Sequence, residues 1–246
     1  LRAFFEVLSD SVLRDNELIN FCLSYLDGIL EDSRVRVKFF LEIMNAFKDK
    51  MDLIAILFNF IKKSGEQHHR DIACHILVLL IDAQKIEKCE ETAKNFVGYL
   101  LTCMGIGDGN ILTQSVSVQR TKPFSMHAYT FALMTICKKN ELAREISNAM
   151  GFKILDEILT GPCLENPQIA YNVVATLWIL SYHDFNSKYF EDYSLGLIEK
   201  VTKVLDYFNT EKIVRILLML IDNLKSNAIC QEHLSDIDAL SLVIKL

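Results

Sequence analysis

Four stretches of this chain repeat one pattern. "DIACHILVLLIDAQ", "AYTFALMTICKKN", "YNVVATLWILSYHD" and "EKIVRILLMLIDNLKSN" align without gaps when Ala83, Lys138, Tyr182 and Asn223 are taken as equivalent, which sets them 55, 44 and 41 residues apart. Each is an apolar run of helical period. In the last, Ile213, Ile216, Leu217, Leu220, Ile221 and Leu224 fall at i, i+3, i+4, i+7, i+8 and i+11, a single stripe along a helix. Arg215, Met219, Asp222 and Ser226 lie opposite it. Asn209 or Thr210 is the expected N-cap, and Glu211 sits near the positive helix end. A recurring helix of this kind buries its stripe only by stacking on a like neighbour, so the period itself points to a stack of repeats. A further unit is expected around "ELINFCLSYLDGILED".

The last two spacings fall in the range of HEAT and armadillo repeats. With three prolines, nine glycines that mostly separate apolar runs and no convincing alternating strand, the expected fold is all-α. It is a right-handed solenoid of armadillo/HEAT-like repeats, one domain over residues 1–246 with about five repeats. The longer first spacing is assigned to residues 104–123, "MGIGDGNILTQSVSVQRTKP", which are rich in Gly, Ser and Thr, lack helical period and are expected to form an inserted loop.

At 51% hydrophobic and 24% charged, the chain has enough apolar surface for a sizeable core. Its longest apolar runs, such as 72–81 interrupted at His75, fall short of the roughly 20 residues that cross a membrane. It starts at Leu1, shows no basic region followed by a short apolar stretch and stops in mid-pattern, so a non-secreted piece of a longer chain is expected. Seven scattered cysteines, mostly inside apolar runs, read as free thiols in a reducing compartment. A net charge of −6 argues against nucleic acid and acidic lipid head groups as main ligands and favours a protein partner.

Sites for chemistry are sparse. "GIGDGN" has no preceding strand and no following Lys-Ser/Thr, so it fits neither the dinucleotide nor the P-loop pattern. "HHRDIACH" gathers His68, His69, Cys74 and His75, but adjacent helical histidines point about 100° apart, and the expectation is a surface feature at a helix start rather than zinc. Cys137 or Cys163 with His127 or His183 would make a nucleophile pair, yet no local signature surrounds them. A cryptic hydrolase therefore stands as a remote alternative. "KIEKCEETAK" (85–94) reads as a solvated helix start with i,i+4 charge support. No catalytic residue, cofactor or metal is expected.

The ordered elements resemble a known family. "LDGILEDSRVRVKFF" (26–40), with Leu26-Asp27, Leu30 and Arg36-Val37 ahead of the aromatics, is similar to the early segment of the H subunit of the vacuolar-type proton-pumping ATPase. "YNVVATLWILSYHDF", "YSLGLIEKVTKVL" and "EKIVRILLMLIDNLKS" follow in that family's order, with Trp178-x-Leu180 and Lys212-x-x-Arg215-Ile216 as the most telling positions. The resemblance implies a non-catalytic regulatory and scaffold subunit, the armadillo-like N-terminal domain without the family's smaller C-terminal domain. Such a subunit binds the peripheral stalk, links the ATP-hydrolysing sector to the membrane sector and is needed for coupled proton transport. It sits on the cytosolic face of vacuolar or other endomembranes through the complex, and is cytoplasmic when dissociated. Much of the family's silencing of ATP hydrolysis is associated with the C-terminal domain.

Armadillo solenoids of the kind resembled here commonly present a Trp and an Asn four residues apart on the third helix of each repeat. The matching pairs are Met134 and Lys138, Trp178 and Tyr182, and Met219 and Asn223, of which only Trp178 and Asn223 keep those types. The implied partner-binding residues are Lys138, Trp178, Tyr182, Lys212, Arg215, Met219 and Asn223, suited to a helical partner rather than to an extended basic peptide. Helical period alone puts Ala170, Val173, Val174, Leu177 and Ser181 on the buried face with Trp178 on its flank, which leaves open whether Trp178 packs between repeats or lines a groove. The alternative function is a generic armadillo-repeat adaptor that binds peptides or helices.

Overall fold

The computed structural model describes residues 2–9, 15–30, 33–46, 52–104, 123–148 and 151–236. Among them the regular structure is helical throughout: α1 (Arg2–Ser9), α2 (Asn16–Leu30), α3 (Arg34–Ala46), α4 (Leu53–Lys63), α5 (Gln67–Ala83), α6 (Glu90–Cys103), α7 (Met126–Ile136), α8 (Asn140–Asn148), α9 (Gly151–Leu159), α10 (Pro167–Ser181), α11 (Ser187–Tyr207), α12 (Glu211–Leu224) and α13 (Ala228–Asp236). The four aligned stretches are α5, α7, α10 and α12, and "ELINFCLSYLDGILED" supplies α2. The positions taken as equivalent all fall at helix ends: Ala83 closes α5, Tyr182 is the C-cap of α10, Asn223 is the penultimate residue of α12 and Lys138 follows the C-cap of α7.

Local chemistry sets several of these boundaries. Asp52 accepts from the Ala55 amide (3.0 Å), Ser125 from Ala128 (3.2 Å), and Asn166 from Gln168 (2.8 Å) and Ile169 (3.3 Å), each capping the first turn of its helix. Pro167 sits at the first position of α10, where a missing amide hydrogen costs nothing. Thr210 is the N-cap of α12, but its side chain makes no capping hydrogen bond.

The chain forms two compact units, Leu1–Glu141 and Leu142–Leu246. In the first, α5 packs against α2, α3, α4 and α7, while α4 packs against α1 and α6. This gives a row of α2, α5 and α7 backed by a row of α1, α4 and α6, with Leu57, Ile61, Ile76, Leu77, Leu80 and Leu100 fully buried. In the second unit α10 lies along α12, and α11 packs against α9 and α13. Leu155, Val173, Leu177, Leu180, Val204, Leu217 and Leu220 are buried there.

The expected inserted loop lies, apart from Met104 and Pro123, outside the described residues. The chain's return from it is pinned by α5: Arg70 Nε donates to the Pro123 carbonyl (2.6 Å), its guanidinium donates to the Ser64 carbonyl (2.7 Å), and Asp71 accepts from the Ser125 amide (3.0 Å).

Four sequence expectations change in detail. On α12 the stripe is buried at Ile213, Ile216, Leu217, Leu220 and Leu224, whereas Ile221 is half-buried. On α10 burial is wider than one stripe: Ile169, Asn172, Ala175 and Thr176 are buried too, because α9, α11 and α12 all pack against it. Ser181, read as core, is half-buried and used for hydrogen bonding. "HHRDIACH" is not simply a surface feature: His69 and Cys74 are buried, and His75 bonds Asp27 of α2 at 2.5 Å.

Candidate partner-binding face

Six of the seven sequence-derived residues lie on two neighbouring helices of the second unit. Tyr171, Trp178 and Tyr182 are spaced i, i+7 and i+11 along α10 and share one side of it. Tyr182 is 60% exposed and Trp178 half-buried, their rings meeting edge to face at 5.5 Å. The half-buried Trp178 ring is partly packed and partly in contact with exposed Tyr182. The buried Trp178 Nε1 finds no acceptor among the described residues.

Across the seam, Asn223 Nδ2 donates to Ser181 Oγ (2.9 Å), and Ser181 Oγ donates to the Trp178 carbonyl (2.7 Å). This relay ties the last turn of α12 to the last turn of α10. It uses one N–H of the Asn223 amide.

Toward the other end of the seam lies an open cleft of about 310 Å³ lined by Tyr171, Glu211, Lys212, Arg215, Ile216 and Met219. Lys212 Nζ stands 4.0 Å from the Tyr171 ring centre, a cation–π contact that positions the ammonium over α10. Arg215, with 70% of its side chain exposed, pairs with Glu211 one turn earlier. Met219 is 37% exposed beside it. Lys138 is exposed at the end of α7 in the first unit.

Tyr171, Ser181 and Glu211 were missed in the sequence. Tyr171 was findable from its i, i+7 relation to Trp178, and Glu211 from its i,i+4 relation to Arg215. Ser181 was not, because its role depends on Asn223, 42 residues away.

The sequence profile of the V-ATPase H subunit matches residues 1–246, the whole chain. The chain belongs to the V-ATPase H-subunit family. Membership makes it a component of the V-ATPase complex, and among the described residues no helix is long and apolar enough to cross a membrane. No curated protein matches the sequence. Among solved structures, a designed armadillo repeat protein in complex with the peptide (KR)4 matches with a TM-score of 0.70 at 14% identity, covering 100% of this chain and 91% of that one. An engineered protein matches with a TM-score of 0.67 at 14% identity, covering 100% and 89%. Such likeness establishes the fold, an all-α armadillo-like solenoid, for this member of the H-subunit family.

The thiols proposed as nucleophiles are in the wrong environment for that role. Burial pushes the Cys163 thiol up to about 12 and raises Cys137 well beyond the usual thiol range, whereas an activated cysteine is lowered. Among the described residues Cys137 donates to the Met134 carbonyl (3.2 Å) and faces no imidazole partner. A thiol-reactive probe at neutral pH should label half-buried Cys103 before Cys137 or Cys163. Fast labelling of either buried thiol would reopen the hydrolase reading.

Proposed function

We propose that this V-ATPase H-subunit family chain is a non-catalytic scaffold that grips the helical peripheral stalk on the α10–α12 face. Through that grip it would link the ATP-hydrolysing and membrane sectors for coupled proton transport, on the cytosolic side of an endomembrane. The observation that carries this reading is the pairing of exposed Tyr182 and Met219 with exposed Lys212 and Arg215 along one seam of a chain whose net charge is −6. Aromatic and Met side chains supply area that a partner desolvates, and the two cations complement acidic positions on a charged helix. An adaptor for extended basic peptides, as the (KR)4 complex of the designed protein would imply, fits less well, because Lys212 and Arg215 would face like charge. Lys138 is proposed as a further contact on the first unit.

Recovery of rotary ATPase subunits with the chain on affinity purification in gentle detergent is the expected result, and their absence would sink the assignment. The face is tested by Arg215→Glu with Met219→Ala. Both residues are exposed and, among the described residues, Arg215 pairs with its solvent-facing neighbour Glu211, so the melting temperature should hardly move. Affinity for the stalk should fall roughly tenfold, about 1.4 kcal/mol. Unchanged affinity in the folded double variant would move the binding surface off α12.

A further inference from the structure

The first unit contains a second feature, different in character from the α10–α12 face. A half-open cleft of about 820 Å³ lies among the end of α1, the start of α2, the last turns of α4 and the beginning of α5. That volume is typical of small-molecule sites. Leu8, Ile19, Ile56 and Phe60 give it an apolar floor, and Asn16, Asn59 and Lys63 supply polar groups.

Its polar end is the N-terminus of α5. Glu66 is the N-cap, but its side chain makes no capping hydrogen bond to the first-turn amides of this 17-residue helix. His69, in that first turn, also lines the cleft. It is only 6% exposed, and its imidazole has no hydrogen-bond partner among the described residues. The ring borders the cleft, where an imidazole N–H can donate to an acceptor that enters it. Lys63 brings a full positive charge to the same end from α4.

We propose that this cleft binds an organic anion, a carboxylate or phosphate ester on an apolar body, with its head group at the N-terminus of α5 between Lys63 and His69. Helix amides and a positive helix end favour an anion there. The exposed Glu66 carboxylate on the same rim repels it. A bare anion is therefore held weakly, and the apolar body on Leu8, Ile19, Ile56 and Phe60 contributes the balance of the affinity. Burial and the neighbouring His68 hold the His69 imidazole below its ordinary value, which keeps it neutral at pH 7, with one N–H to donate.

The test is titration of the chain with hexyl phosphate, hexanoate and inorganic phosphate, followed by the His69 ring signals in NMR. The two amphiphilic anions should shift those signals, with inorganic phosphate at least roughly tenfold weaker. Lys63→Ala should weaken hexyl phosphate about tenfold, while Lys62→Ala, whose ammonium lies over the Phe58 ring instead, should leave it unchanged. Because Lys63 is exposed, its removal should not unfold the chain; His69→Gln, which keeps a donor, should retain part of the affinity. Phosphatidylserine vesicles distinguish the source. Lys63-dependent co-sedimentation would assign the anion to a lipid head group, and a response to the soluble anions alone would assign it to a free metabolite. Unmoved His69 signals with both amphiphiles, or equal affinity in Lys63→Ala and the parent, would overturn the proposal.

Discussion

Leu177→Ala and Leu220→Ala should each lower the unfolding free energy by about 2–5 kcal/mol, the usual cost of truncating a buried leucine. Leu177 is fully buried on α10 and Leu220 is 1% exposed on α12, the two helices that pack along each other in the second unit. The cost has two parts, lost transfer free energy and the cavity left behind, and the second depends on how far the surroundings collapse. Beside Leu220 a void of about 10 Å³ already exists, bounded by Leu197, Ile198, Val201 and Thr202 of α11 and by Ile221 and Leu224 of α12. Truncation there enlarges a space that the packing has not closed, so Leu220→Ala should be the more damaging of the pair. Denaturant unfolding measures both. A variant that unfolds with the parent's midpoint would show that its side chain is not in the core.

Gly151→Ala should cost about 3 kcal/mol, the upper end of the usual range for overpacking. A methyl group at Gly151, the first residue of α9, would lie 2.3 Å from the Ile146 carbonyl oxygen and 2.5 Å from Ile146 Cγ2. The nearest obstacle is backbone, which does not swing aside as a flexible side-chain end does, so α8 and α9 must separate to admit the new atom. Gly98 in α6 and Gly196 in α11 provide the opposite case, since a Cβ there meets nothing within 4 Å. Alanine at either position should stabilise by about 0.4–1 kcal/mol through the lower entropy of the unfolded chain. Thermal denaturation of the three variants should therefore give one large loss and two small gains. A neutral Gly151→Ala would mean that the α8–α9 approach is looser than the structure has it.

How much was legible in the sequence differs from helix to helix. α12 was legible almost residue by residue, because one side of it is buried and the other solvated, and a helix in that situation writes its period into the chain. α10 was not, since neighbours cover most of its surface; its residues are apolar nearly all round, and period loses its power to say which face is the core. The same distinction holds for the histidines of "HHRDIACH". Their types and spacing are plain, yet His69 under the cleft and His75 on Asp27 were placed by helices far away in the chain.

The candidate face was legible as a set of positions but not as an arrangement. Its lysine, arginine and aromatic residues follow from repeat register and from resemblance to the V-ATPase H-subunit family.

What the sequence determined by itself is therefore what depends on neighbours within a few residues along the chain: helical character, the repeat spacing and the buried stripe of α12. The tertiary structure alone decided the Asn223–Ser181 relay, the Lys212–Tyr171 contact and the cleft floored by α1, α2 and α4. Each needs groups some 40 or more residues apart to meet at distances of a few ångströms, and local pattern carries no record of such meetings.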